Sequence, residues 1–390
     1  MYASKYLSGF RRSGKVGVVN GRSPALTNRA VGVATLARQH LLERAEMPAE
    51  SMIRHLLGMQ AQAPFPPYFG LWSRIAAFRA EELAESIENA RVVRIVLMRG
   101  TVHLVTATDA AFLRPLVQPV MDTDLRTNTQ HRQALAGVDP AAVATIGRGL
   151  FADGPLWHSE LGERLAREFP GTSPSSLVHA ARNLIPLVQV PPRAVWGQSG
   201  HVRLLPLETW TGVGVETNPS LERMLLRYLA AFGPASVADA QSWSGLTRLG
   251  EVMERIRPQL VTFTSESGAE LFDLPDAPRP EPDMRMPVRI VAAFDNLLLS
   301  HADRSRVISV DSRAKLFTRN GVFPPVVLVD GRVAGEVKLT RERARSLISV
   351  VPYRRLSKAH QASVAAEARR MSKFAAPDAA EHEVTFVEVV

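Results

Sequence analysis

Apolar residues recur at helical spacing over 31–44, where Val33, Leu36, Ala37, Leu41 and Leu42 share one face. A second amphipathic segment, Ala49–Leu57, buries Met52, Ile53, Leu56 and Leu57, and the prolines at 64, 66 and 67 end it. Further helices are expected over Phe69–Phe78 and Glu81–Ile87. β-rich runs follow at Val92–Leu97 and Thr101–Thr106, around Met98-Arg99-Gly100. Several helices followed by a hairpin is the order of a winged helix: a helical reading unit, then a two-stranded wing.

The order recurs twice. Trp157–Glu168 and Pro174–Leu184 read as helices, the latter with Ser173 as N-cap and Pro174 at the first helical position. Strands follow at Ile185–Val190 and His201–Leu205. In the third copy Leu221–Ala231 stops at Gly233-Pro234, Ser236–Trp243 opens with Ser236 and Asp239 at capping-box spacing, and Leu246–Ile256 precedes a hairpin of Leu260–Thr264 and Ala269–Asp273. A proline- and acid-rich linker spans 275–282. Beyond it strands are expected at Val288–Ala293, Val307–Val310, Val326–Val329, Val333–Leu339 and Leu347–Val351. A helix over Ser357–Phe374 and a closing strand over Glu383–Val389 complete the chain. The expected fold is α+β: a basic arm (1–25), three tandem winged-helix units (26–145, 146–216, and 217–280 including the linker), and a small barrel or strongly curved sheet (281–390).

Composition narrows the function. The 390 residues hold no cysteine, which excludes disulfides, thiolate-held iron–sulfur clusters and cysteine zinc sites. No apolar run approaches the roughly 18 residues of a membrane span, and no secretory signal is evident, so a cytoplasmic setting is expected. The net charge is +9, from 47 basic and 38 acidic residues. Lys5, Arg11, Arg12, Lys15, Arg22 and Arg29 precede the first acid, Glu43. This tail reads as a disordered arm adding salt-dependent phosphate affinity, although its composition also suits a transit peptide or an upstream start codon. The body is near neutral and must gather its cations locally to hold a polyanion.

The sharpest chemical candidate is Gln60-Ala61-Gln62. Two neutral amides flanking one small residue can orient a water molecule by one donor and one acceptor each. The plain alternative is a polar helix end with solvent-facing amides. Residues two apart lie on opposite sides of a helix but share a side of an extended segment, so joint action requires 60–62 to be non-helical or at a helix terminus.

The run Gly58-Met59-Gln60-Ala61-Gln62-Ala63-Pro64, followed by aromatics and Leu71-Trp72, resembles the signature of the winged-helix DNA glycosylases related to AlkZ and YcaQ. The Gln-x-Gln form is that of the AlkZ branch; the YcaQ branch has aspartate at the second polar place. Arg99-Gly100-Thr101-Val102-His103-Leu104-Val105-Thr106, Phe232-Gly233-Pro234-Ala235-Ser236 and the stretch Asp295–Arg304 match as well, so the resemblance spans residues 27 to 352. A tryptophan that many relatives carry near Glu336 or Val337 is missing. The resemblance implies tandem winged helices, a C-terminal barrel, and excision of bulky alkylated bases, in some members from interstrand crosslinks. Some members protect the producers of genotoxic natural products. N7 alkylation makes guanine cationic, so the base leaves neutral without a general acid. Neutral Gln60 and Gln62 would place the water, with no cofactor or metal and no lyase step.

Other candidates follow the resemblance or the pattern. Arg99 at a hairpin tip and His103 on the next strand are candidate DNA contacts, with a satisfied buried histidine as the alternative for His103. Arg193 and Trp196 in the second wing suit backbone contact and stacking, with a solvated arginine and a core tryptophan as the alternatives. Arg248 opens the third recognition helix, and Arg304 closes the Asp295 stretch. Tyr68 either stacks on the lesion or caps the core. Asp295 and His301 read as site support better than as metal ligands. The expected partner is double-stranded DNA carrying alkylated bases, met by a monomer that needs no protein partner and no membrane. Two other readings compete: a non-catalytic winged-helix DNA-binding regulator and a protein-interaction scaffold.

Overall fold

A computed structural model describes residues 24–316, 323–342 and 344–388. The expected basic arm lies outside the described residues as far as residue 23. Ala25 and Leu26 form a short strand (β1) joined by Thr27, whose Oγ1 caps α1 (Asn28–Arg38) by accepting from Ala30 N. α1 stops before the expected residue 44 because His40 adopts a left-handed φ of 55°. Leu41 is thereby released to the core of the C-terminal sheet. α2 (Ala49–His55) ends in the same way, at Leu57 (φ 54°) and Gly58 (φ 96°). β2 (Met59–Gln60) follows. The proline pair then does the opposite of stopping a helix: Pro66 and Pro67 open α3 (Pro66–Arg74), where a missing N–H costs nothing. α4 (Ala80–Glu88), β3 (Val92–Val96) and β4 (Val102–Thr106) complete the first helices-then-hairpin unit.

Three helices that the hydrophobic pattern does not announce fill 107–149: α5 (Ala107–Leu116), α6 (Gln118–Thr127) and α7 (Pro140–Gly149). β5 (Leu156–Trp157), α8 (His158–Glu168), α9 (Pro174–Leu184), β6 (Leu187–Gln189), β7 (Arg203–Pro206) and α10 (Leu207–Thr211) follow. The first two hairpins merge into one six-stranded sheet of order β2-β4-β3-β6-β7-β5, because β3 pairs with β6 (Arg94 opposite Gln189). The third unit holds α11 (Leu221–Phe232), α12 (Val237–Ser244) and α13 (Leu249–Ile256), then β8 (Val261–Ser265) and β9 (Glu270–Asp273). The expected capping box is present, with Ser236 and Asp239 satisfying each other's backbone N–H groups. β1 adds to β8 in parallel, and Arg38 meets Asp273 through two hydrogen bonds of 2.6 and 2.8 Å, both side chains buried. α1 therefore packs onto the third unit.

The C-terminal strands β10 (Arg289–Val291), β11 (Val326–Val329), β12 (Arg332–Glu342), β13 (Arg345–Pro352) and β14 (Glu381–Phe386) form one five-stranded sheet in that order. Among the described residues it is an open sheet, not a closed barrel. α16 (Lys358–Ala375) carries the chain over so that β14 joins β13 in parallel, which leaves β10 and β14 at opposite edges. The expected strand at Val307–Val310 does not form. Val307 and Ile308 are buried in a turn ahead of α15 (Val310–Leu316), and α14 (Asn296–Leu299) follows β10. One core runs continuously from Ala49 to Phe272, and two further cores lie on either side of the C-terminal sheet. No described helix is long and apolar enough to cross a membrane.

Candidate active site

Gln60 ends β2, opposite His103 of β4. Ala61 is fully buried and tied from both sides: its N–H donates to Val102 O at 2.7 Å, and its carbonyl accepts from Arg94 Nη2 at 2.6 Å. Residues 60–62 are accordingly outside any helix: Gln60 closes β2, Ala61 is held by a hydrogen bond on each side, and the chain bends at Gln62. Gln62 is exposed, and its Oε1 accepts from Val102 N at 3.3 Å. Gln60 is not the solvent-facing amide of a helix end. It is 8% exposed, and its Oε1 accepts from Arg99 Nη2 at 2.7 Å. Only its amide nitrogen is left to reach the surface.

Arg94 was absent from the sequence candidates. A lone arginine in the wholly buried strand Val92–Val96 was the available signal. Burial first, and then repulsion from Arg193 and Arg182, lower its pKa to about 9. Arg99, expected at an exposed hairpin tip, turns its guanidinium inward. Its left-handed backbone (φ 58°) forms the hairpin tip, and its guanidinium bridges Gln60 and the carbonyl of Trp243 in α12. Burial, with Arg304 nearby, brings its pKa down to about 10. His103 is fully buried, so it is a core histidine and not a surface contact. Its Nδ1 lies 3.0 Å from Thr101 O, and burial with the Arg99 charge pushes its pKa down to about 3, leaving it neutral.

Most remaining candidates are structural. Tyr68 is fully buried, donates to Ala194 O at 2.7 Å and packs 4.8 Å from the Trp196 ring, so it caps the core. Trp196 faces inward among Phe65, Phe69 and Phe374. Arg193 closes its own loop on Gly200 O at 3.0 Å. Asp295 caps α14 and holds Arg74 in two hydrogen bonds of 2.8 Å, both side chains almost fully buried. His301 sits 3.0 Å from Phe232 O with its pKa lowered to about 3, by burial first and then Arg306. Arg304 is half-buried against His301 O. Arg248 stands exposed at the start of α13, paired with Glu251 at 2.8 Å. An unpredicted basic face lies on and just before α16: Arg354, Arg355, Lys358, Arg369 and Lys373 are exposed, and Glu367, the one acid from 354 to 373, is buried on Arg44.

Residues 53–374 match the family model described as "DNA glycosylase AlkZ-like". A curated protein of Streptomyces sahachiroi named "Interstrand DNA cross-link repair glycosylase" is 23% identical over 334 residues, covering 79% of this chain and 86% of that protein. The solved structure of Streptomyces sahachiroi DNA glycosylase AlkZ is similar with a TM-score of 0.77 at 20% identity, covering 93% of this chain and all of that one.

Proposed function

The chain belongs to the AlkZ-like DNA glycosylase family, and from that premise we propose that it hydrolyses the N-glycosidic bond of alkylated purines in double-stranded DNA. The substrates are N7-alkylguanine and N3-alkyladenine, extending to bulky adducts and to the interstrand crosslinks named for its Streptomyces relative. The observation that carries this reading is the pinned, non-helical Gln60-Ala61-Gln62 segment, which sets a partly accessible Gln60 and an exposed Gln62 on either side of the buried Ala61. Water attacks C1′, the C–N electron pair leaves with the cationic base, and the base departs neutral. A proton from the water passes to solvent. Neutral amides suffice because the leaving group is already activated, and the reaction is monofunctional.

The helices-then-hairpin units are read as tandem winged helices, with Arg248 and the basic face at α16 serving the phosphate backbone. The enzyme works as a cytoplasmic monomer. Mass spectrometry of bases released from alkylated duplex DNA tests the proposal. Release by the unaltered protein, strongly reduced in Gln60→Ala and Gln62→Ala, is expected. Equal release by all three defeats the mechanism, and an intact duplex with the unaltered protein defeats the function.

A further inference from the structure

Two amide groups beside Gln60 are oriented from one end and free at the other. Gln39, fully buried just past α1, accepts from Arg74 Nη2 at 2.9 Å, which points its Nε2 elsewhere. Arg74 is itself locked by Asp295. Asn296, 6% exposed at the start of α14, donates Nδ2 to Gly58 O at 3.1 Å, which leaves its Oδ1 facing away. Among the described residues neither Gln39 Nε2 nor Asn296 Oδ1 has a hydrogen-bond partner. Both residues line one recess together with Gly58, Met59, Gln60 and Phe294. Its inner space admits a water-sized body and not a nucleobase. Buried polar groups without partners are rare, and one donor and one acceptor lining the same recess match a molecule that both accepts and donates.

We propose that Gln39 and Asn296 hold the attacking water beside Gln60. This rests on the glycosylase reading above. The Gln60 carbonyl already accepts one hydrogen bond from Arg99, and Asn296 Oδ1 adds an unoccupied acceptor in the same recess. Gln39 Nε2 donates to the water oxygen, and the water donates one O–H to Asn296 Oδ1. As the oxygen bonds to C1′, the C–N electron pair leaves with the purine and one water proton passes to solvent. Asn296 orients and does not become protonated.

The test is single-turnover base release by Asn296→Leu, Asn296→Asp and Gln39→Leu on an N7-alkylguanine duplex, with DNA Kd and thermal melting measured alongside. Asn296→Leu and Gln39→Leu should lower the rate at least about tenfold with little change in Kd. Asn296→Asp keeps the acceptor and should recover part of the rate. It should also make the rate fall towards acid as the new carboxylate is protonated; a purely structural asparagine predicts the opposite sign, because the ionised carboxylate faces the Gly58 carbonyl and protonation restores a donor to it. Unaltered rates in the leucine variants, or a rate in Asn296→Asp that stays flat or rises towards acid, overturn the water site. If Gln60→Ala is inactive in the same assay, the glycosylase reading survives that outcome. Failure of the unaltered protein to release any base overturns both.

Discussion

Exchanging Arg99 for lysine separates orientation from charge. The guanidinium spans two acceptors at once, Gln60 Oε1 at 2.7 Å and the Trp243 carbonyl, and a lysine ammonium cannot reproduce that fork. A hydrogen bond to a charged donor contributes about 1.5–3 kcal/mol. At about 1.4 kcal/mol per decade, losing the alignment it gives Gln60 should slow single-turnover base release roughly ten- to hundredfold. Arg99→Asn should be slowed similarly without backbone strain, because asparagine tolerates the left-handed φ of 58°. A phosphate contact predicts a different pattern. Arg99→Asn would then lower the slope of log Kd against log salt by about 0.9, and Arg99→Lys would keep it. The inward geometry predicts unchanged salt slopes in both variants and reduced rates in both. Full activity in Arg99→Lys, combined with a shallower salt slope in Arg99→Asn, would refute the clamp.

Asp295→Ala leaves the Arg74 guanidinium buried without its partner and removes the α14 cap, so a loss of about 3–5 kcal/mol in urea-unfolding stability is expected. A change under 1 kcal/mol would contradict that account. Gly245→Ala forces a side chain onto φ +83° and places Cβ 3.1 Å from the Arg99 backbone. The strain costs about 1–2 kcal/mol, and the displaced hairpin tip should slow base release as Arg99→Lys does. Acid should destabilise the fold early. His103 and His301 titrate near 3 and His40 near 4 when folded, all below the ordinary 6.5. The unfolded chain therefore binds more protons between those limits. Stability is complete above about pH 6.5 and falls as pH drops towards 4, readable as urea midpoints at pH 7.5, 6 and 5. Flat midpoints would show that these histidines are not buried neutral.

Local signals set much of this fold directly from the chain. Ser236 and Asp239 cap α12, Asp330-Gly331 turns β11 into β12, and the amphipathic spacing of Leu221–Ala231 yields α11. These effects act within a few residues, where propensity and capping operate. The same reading left Gln60-Ala61-Gln62 between a helix end and a loop, and its motifs carried the family. Partners distant in sequence were beyond it. Periodicity does not reveal that β3 pairs with β6, that α1 docks on the third unit, or that the C-terminal sheet stays open. Nor does it tell that Arg99 reaches back 39 residues to Gln60, or that Arg74 reaches forward 221 to Asp295. An arginine, a histidine or a tyrosine at a hairpin tip or strand end carries the same identity whether it faces solvent or core. Only packing decides which side it takes, because burial is tolerated where a carbonyl, amide or carboxylate from another element waits to receive it.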